Sequence, residues 1–288
     1  MAATSPASAP SRDRALTIPD QSNRSTVTTS DTPSAVRIEH RSGVVRLVLN
    51  RPADGNAFTL DMAREALAAL RDAEPDPDVH VLTLTGEGRF FCAGGDVTSM
   101  ASYEPAGRPA FLRDLADAAH DVALAMMRSR LLIIAGVNGT AAGAGFGLVL
   151  NSDWVLASDQ SSMLTAYSKM GLSPDTGVAY LLPRAVGHQR ATDLALNGRV
   201  LSGADAVDWG LANEVTAAAS FAERLTEVED RFLSGATQTY GSTKKLLRAA
   251  TLEGYEQHLR NESASIAKLS GHPETVQRVD RFVGKKRS

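Results

Sequence analysis

Cysteine is nearly absent. Cys92 is the only one in 288 residues, which excludes an intrachain disulfide and a cysteine-rich zinc site and fits a reducing compartment. No apolar run approaches the roughly 18–20 residues that a membrane-spanning helix needs. Aromatics are sparse, at 5%. Neither sign of charge prevails, with 30 Lys and Arg against 33 Asp and Glu and a formal net charge of −3. Composition therefore gives no electrostatic ground for binding nucleic acid or an anionic membrane. The chain is 43% hydrophobic, enough to bury a sizeable core. These features point to a soluble, cytoplasmic, globular protein. The 23 glycines are an ordinary number, but they cluster, and clustered glycine marks places where backbone must come close to something.

Residues 1–34 are dominated by Ala, Ser, Thr and Pro with single charges and no apolar periodicity. Such a segment cannot offset its ordering entropy, so a disordered tail is expected. Order begins at Ala35. Val36 and Ile38 alternate with Arg37 and Glu39, a strand pattern, and Ser42-Gly43 turns the chain into a second strand over 44–49. Leu60, Ala63, Ala66, Leu67 and Leu70 recur at helical spacing, and Pro75 and Pro77 break that helix. A third strand over 79–85 leads into a glycine-rich loop ending in Ala93-Gly94-Gly95-Asp96. A long helix over 111–128 carries Leu112, Leu115, Ala119, Val122 and Met126 on one face. The continuous apolar run 131–137 suggests a strand covered on both faces. It leads to Gly139-Thr-Ala-Ala-Gly143-Ala-Gly145-Phe-Gly147, a small-residue helix, and a strand over 154–157. Alternating strands and helices argue an α/β core with parallel strands. The last third reads as helical, with segments over 190–196, 204–209, 221–233, 242–250, 253–269 and 273–283.

Two glycine loops, each after a strand, invite a nucleotide-binding reading. No segment carries the Gly-Lys-Ser/Thr ending of a phosphate loop. Gly143-x-Gly145-x-Gly147 lacks the dinucleotide spacing, and no acidic residue follows suitably. A second use of such loops is an oxyanion hole, in which backbone N–H groups from two strand-to-helix turns converge on one carbonyl oxygen.

Asn50-Arg51-Pro52, Asn56-Ala57, Cys92-Ala93-Gly94-Gly95-Asp96-Val97 and Val137-Asn138-Gly139-x-Ala141-x-Gly143, in this order, resemble the crotonase (enoyl-CoA hydratase/isomerase) superfamily. Gly171-Leu172-x-Pro174-Asp175-x-Gly177, Leu182-Pro183-Arg184 and Gly198-x-x-Leu201-Ser202-x-x-x-Ala206 extend the match, which covers the chain from about Ala35 onward. The resemblance implies an α/β crotonase fold: a ββα spiral core over 35–230 and a C-terminal helical oligomerisation region over 231–288. It implies an acyl-CoA substrate, with coenzyme A as part of the substrate and no separate cofactor. It also implies a homotrimer or a dimer of trimers. The oxyanion donors would be the N–H groups of Gly95 and Ala144. Ala93 and Asp96 would lie beside the thioester, although Asp96 is read chiefly as holding its own loop. Phe282 and Lys285 match a pair that contacts coenzyme A across a subunit boundary, and Arg51 is a weaker match for a phosphate contact.

The pattern departs from the family at its chemistry. Family hydratases use two glutamates, and this chain has Gly147 and Tyr167 at those positions; neither performs carboxylate acid–base catalysis. The Leu-x-Pro-Asp-x-Gly segment looks most like the branch that includes the ring-epoxide isomerase of phenylacetate degradation and the 4-chlorobenzoyl-CoA dehalogenases. That resemblance makes Asp175 the catalytic candidate; on local sequence alone it is equally an N-cap. His120 resembles the base of the dehalogenases, against a structural or solvated reading. Tyr167 is read as lining the acyl pocket or as plain packing, and Cys92 as a packed thiol. His40, His80, His188, His258 and His272 show no metal-ligand spacing. The leading expectation is an acyl-CoA isomerase with Asp175 as its one acid and base. The alternatives are an Asp175 nucleophile with His120 activating water, a hydratase with a replaced acid, and a non-catalytic acyl-CoA binder.

Overall fold

The computed structural model describes residues 34–287, with side chains up to residue 284. All of the expected tail but Ser34 lies outside the described residues. The chain starts with the expected hairpin, β1 (Val36–Arg41) and β2 (Val44–Leu49), and Val44, Val45, Leu47, Val48 and Leu49 of β2 are buried. Thr59 caps α1 (Leu60–Ala73) by accepting the Met62 N–H. Then follow β3 (Val81–Gly86), β4 (Phe90–Cys92), the short α2 (Val97–Ser102) and the long α3 (Arg108–Arg128). The next units are β5 (Leu132–Val137), β6 (Thr140–Ala142) and α4 (Ala144–Asn151), then β7 (Trp154–Ser158), β8 (Ser162–Leu164), α5 (Tyr167–Met170), α6 (Val178–Val186) and α7 (His188–Thr192). A bridge of β9 (Leu201–Ser202), α8 (Gly203–Asp208) and β10 (Glu214–Thr216) leads to α9 (Phe221–Leu233), α10 (Tyr240–Leu252), α11 (Tyr255–Ser270) and α12 (Pro273–Arg287).

The pairs β3–β4, β5–β6 and β7–β8 each place their first strand in one sheet and their second in another. The large sheet runs β1-β2-β3-β5-β7-β10, antiparallel only at its β1–β2 edge. The small sheet runs β4-β6-β8-β9, with β4, β6 and β8 parallel. The core lies mainly on the face covered by α1 and α3, where Met62, Ala66, Leu70, Ala116, Val122 and Met126 meet Leu47, Leu82 and Ile133. The periodic apolar helices and the buried β5 are all present. Short elements that sequence periodicity does not reveal are β4, β6 and β8, of three residues each, and α2, of six, because so few residues hardly display a period. Among the described residues no helix is long and apolar enough to cross a membrane.

Candidate active site

The site is built on the carboxyl edge of the small sheet. Since β4, β6 and β8 are adjacent and parallel, the chain leaves all three at the same edge, as 93–97, 143–144 and 165–167. These three turns line one cavity of about 370 Å³. Much of its remaining wall is apolar: Phe58, Met100, Leu112, Leu115, Ala119, Leu172 and Ile266.

The first turn is fixed by Phe58. Its N–H donates to Gly94 O (2.7 Å) and its carbonyl accepts the Asp96 N–H (3.0 Å). Gly95 gives neither of its groups to this pairing, so its N–H is directed away from Phe58. The second turn begins at Gly143, whose φ of +52° suits glycine. Ala144 is the first residue of α4, where a helix leaves its N–H groups without intrahelical partners. The loops touch: a Cβ on Gly94 would stand 3.2 Å from Ala142 O. Two backbone donors from neighbouring turns thus border the same apolar space, and in that setting they stabilise a developing oxyanion far better than water-exposed donors do.

Asp175, 7% exposed, lines the same cavity. Its Oδ1 accepts the Tyr167 hydroxyl at 2.6 Å and the Thr176 hydroxyl at 2.9 Å. Among the described residues no donor reaches Oδ2. Asp175 is not an N-cap: α6 begins at Val178 behind Gly177, and the carboxylate accepts side-chain hydroxyls instead of helix N–H groups. Burial, and then the neighbouring Asp175 charge, push the Tyr167 phenol well above its usual range, so it remains a donor.

Residues 39–288 match the family model described as enoyl-CoA hydratase/isomerase. The chain belongs to the enoyl-CoA hydratase/isomerase family. Over 256 residues it is 29% identical to a 4-chlorobenzoyl coenzyme A dehalogenase of Arthrobacter, covering 89% of this chain and 93% of that one. It is 34% identical over 209 residues to the 1,2-epoxyphenylacetyl-CoA isomerase of Escherichia coli, covering 72% and 79%. The crystal structure of an enoyl-CoA hydratase from Mycobacterium avium subsp. paratuberculosis superposes with a TM-score of 0.79 at 29% identity, covering 87% of this chain and 96% of that one. The architecture is the crotonase fold.

Within this family framework, Ala93, Gly95, Asp96, Ala144, Tyr167, Asp175 and Phe282 come together around the cavity. Asp96, however, is fully engaged. Its Oδ1 caps α2 by accepting the Thr98 and Ser99 N–H groups, and its Oδ2 accepts Ser99 Oγ and the Arg51 guanidinium. Arg51 also binds Asp54 and Ala57 O and does not line the cavity. It ties the loop at Asp96 to the turn at 54–57. His120 is likewise absent from the cavity wall. Its Nε2 accepts the Thr176 N–H at 3.1 Å, and burial holds its pKa below the usual value, as an accepting neutral ring requires. Lys285 lies in α12 beyond the described side chains. Cys92 is fully buried, and burial pushes its thiol up to about 12, which leaves it protonated and inert.

Gly147 is filled from outside. A Cβ there would lie 2.6 Å from Thr176 Cβ and 2.8 Å from Thr176 O. The space that a side chain at this position would use is thus occupied by the residue after Asp175. Three basic residues that motif reading missed, Lys169, Arg278 and Arg281, stand at the cavity with Phe282. Arg278 and Arg281 sit one helical turn apart on α12, a spacing visible in sequence, but nothing in sequence shows that α12 returns to the cavity. A fourth missed residue, Glu262 of α11, is 4% exposed and accepts the N–H groups of Gly177 (2.8 Å) and Ala179 (2.9 Å). Among the described residues no cluster of His, Cys, Asp and Glu has the makings of a metal site.

Proposed function

We propose that this chain is an acyl-CoA isomerase that moves a double bond with Asp175 as its single acid and base. Asp175 Oδ2 takes a proton from a carbon conjugated with the thioester. The freed electron pair moves to the thioester oxygen, where the N–H groups of Gly95 and Ala144 hold the enolate. Collapse of the enolate re-forms the carbonyl and takes the same proton back from the Asp175 carboxyl at a different carbon. Nothing is added or removed, so one carboxyl suffices.

The observation that carries this reading is the contrast between the cavity's two carboxylates. Both oxygens of Asp96 are spent on holding a loop, whereas Asp175 keeps Oδ2 free in a largely apolar space. Hydration with two carboxyl groups has no second acid here. Attack by Asp175 on an aromatic ring would need a base for water, and His120 is committed to the Thr176 N–H away from the cavity wall. The Lys169, Arg278 and Arg281 rim supports recognition of coenzyme A phosphates. Leu246 and Leu247 of α10, each 79% exposed, support burial against further subunits in a trimer or a dimer of trimers, which light scattering on the purified protein measures.

The test is isomerisation of 3-enoyl-CoA and ring-unsaturated acyl-CoA thioesters in heavy water, followed by mass spectrometry. Wild type is expected to exchange and shift the double bond, and Asp175→Asn to lose about 10²–10⁴-fold in rate. Undiminished exchange in Asp175→Asn sinks the proposal. So does incorporation of oxygen from labelled water as the main event.

A further inference from the structure

Thr176, next to Asp175, sits at φ +55°, a conformation that a β-branched residue rarely adopts. Such a backbone persists only when its surroundings over-determine it, and it concentrates at functional sites. Here each polar group of the residue is held. Its N–H goes to His120 Nε2 on α3, and its carbonyl accepts Asn151 Nδ2 on α4 (3.1 Å). Its hydroxyl goes to Asp175 itself. The next N–H groups, of Gly177 and Ala179, go to the two oxygens of Glu262. Asn151 is in turn fixed by the Tyr255 hydroxyl of α11 at 2.7 Å. Neither His120 nor Glu262 reaches the cavity wall, and the chemistry proposed above uses neither.

We infer that Glu262 and His120 are positioning residues for Asp175: together they hold the left-handed turn at Thr176 that aims the free carboxylate oxygen into the cavity. The two side chains come from different helices and lie 3.6 Å apart at Glu262 Oε2 and His120 Nε2. They grip the N–H groups of Thr176, Gly177 and Ala179 in one short turn. Releasing either lets Thr176 relax toward a negative φ. That rotation moves the Thr176 hydroxyl off Asp175 Oδ1 and turns the carboxylate away from the oxyanion donors. The inference rests on the reading of Asp175 as the acid and base.

Heavy-water exchange and steady-state kinetics are measured for Glu262→Gln, His120→Leu, His120→Gln and, alongside them, Asp175→Asn, with melting curves for each. Glu262→Gln keeps one accepting oxygen but faces the other N–H with an amide donor. It is expected to lower kcat about 10- to 100-fold, the effect of a misplacement on the order of 1 Å, with KM within about threefold. His120→Leu is expected to do the same. His120→Gln, whose side-chain oxygen can again accept the Thr176 N–H, is expected to recover most of the loss. A merely structural role would lower the melting temperature and leave the kcat of the folded fraction unchanged. The inference is overturned if Glu262→Gln and His120→Leu keep kcat within about twofold, or if His120→Gln is no better than His120→Leu. If Glu262→Gln does not fold, the two His120 variants decide. Exchange that survives Asp175→Asn removes the parent reading. Exchange lost in Asp175→Asn but kept in the others removes this inference alone.

Discussion

The Tyr167 hydroxyl donates to Asp175 Oδ1 at 2.6 Å, and both groups are more than nine-tenths buried. The phenol thus orients the carboxylate within the cavity. Tyr167→Phe removes this donor and leaves Thr176 as the sole hydroxyl on Oδ1. A hydrogen bond to a charged group contributes about 1.5–3 kcal/mol. Turnover of the best acyl-CoA substrate is expected to fall about 10- to 100-fold, with KM little changed. Steady-state kinetics on the two proteins check this.

Gly147 is not expected to accept a working carboxylic acid by a single substitution. Gly147→Ala already puts a methyl group 2.6 Å from Thr176 Cβ and is expected to cost about 1–3 kcal/mol in urea unfolding. Gly147→Glu is expected to gain no hydration of crotonyl-CoA and to lose isomerisation, because the larger side chain displaces Thr176 and with it Asp175. Absorbance assays of both reactions decide.

Stability should depend on pH through Glu262. Burial pushes its carboxyl from 4.5 up to about 8, and the N–H groups of Gly177 and Ala179 only partly oppose that. A pKa raised on folding means that the native state binds the proton more tightly. The contribution is full below about pH 4.5 and disappears as pH rises through about 8. The groups facing it are His120 and His258, each 3.6 Å from a carboxyl oxygen, together with Asp175. Burial holds both histidines below their usual value, so neither titrates in the upper part of that window. Wild type is expected to lose stability between roughly pH 5 and 9, and Glu262→Gln to show a flatter profile, in melting temperatures recorded across that range.

Asp153 anchors the C-terminal helices to the core. It lies 2.7 Å from both Lys244 Nζ and Arg248 Nη2, and it accepts the Ile133 N–H. Burial pushes the Lys244 ammonium down to about 8 even with this partner. Asp153→Ala leaves two buried cations unpaired and is expected to cost about 3–5 kcal/mol, measured by denaturant unfolding.

Much of this protein was determined by sequence alone. The 3.6-residue period of α1 and α3 and the unbroken apolar run of β5 are local patterns that survive folding because the same residues fill the core, whereas the alternation of β1 buries Val36 and leaves Ile38 exposed. The order of the glycine blocks pointed to two turns and to Asp175, and folding brings all three to one cavity. Turns that offer backbone N–H groups are conspicuous in sequence because their residues are small. Tertiary structure decided how the remaining groups are used. Whether Asp175 caps a helix or faces a cavity depends on where α6 begins. Whether His120 can serve water depends on a Thr176 N–H that lies 56 residues away. Glu262 left no trace in sequence, because one glutamate on an amphipathic helix looks like any solvated one until packing buries it against the ends of other elements. The glycines in turn gained a second meaning. Only the packed structure shows that Thr176 fills the space that a side chain at Gly147 would use.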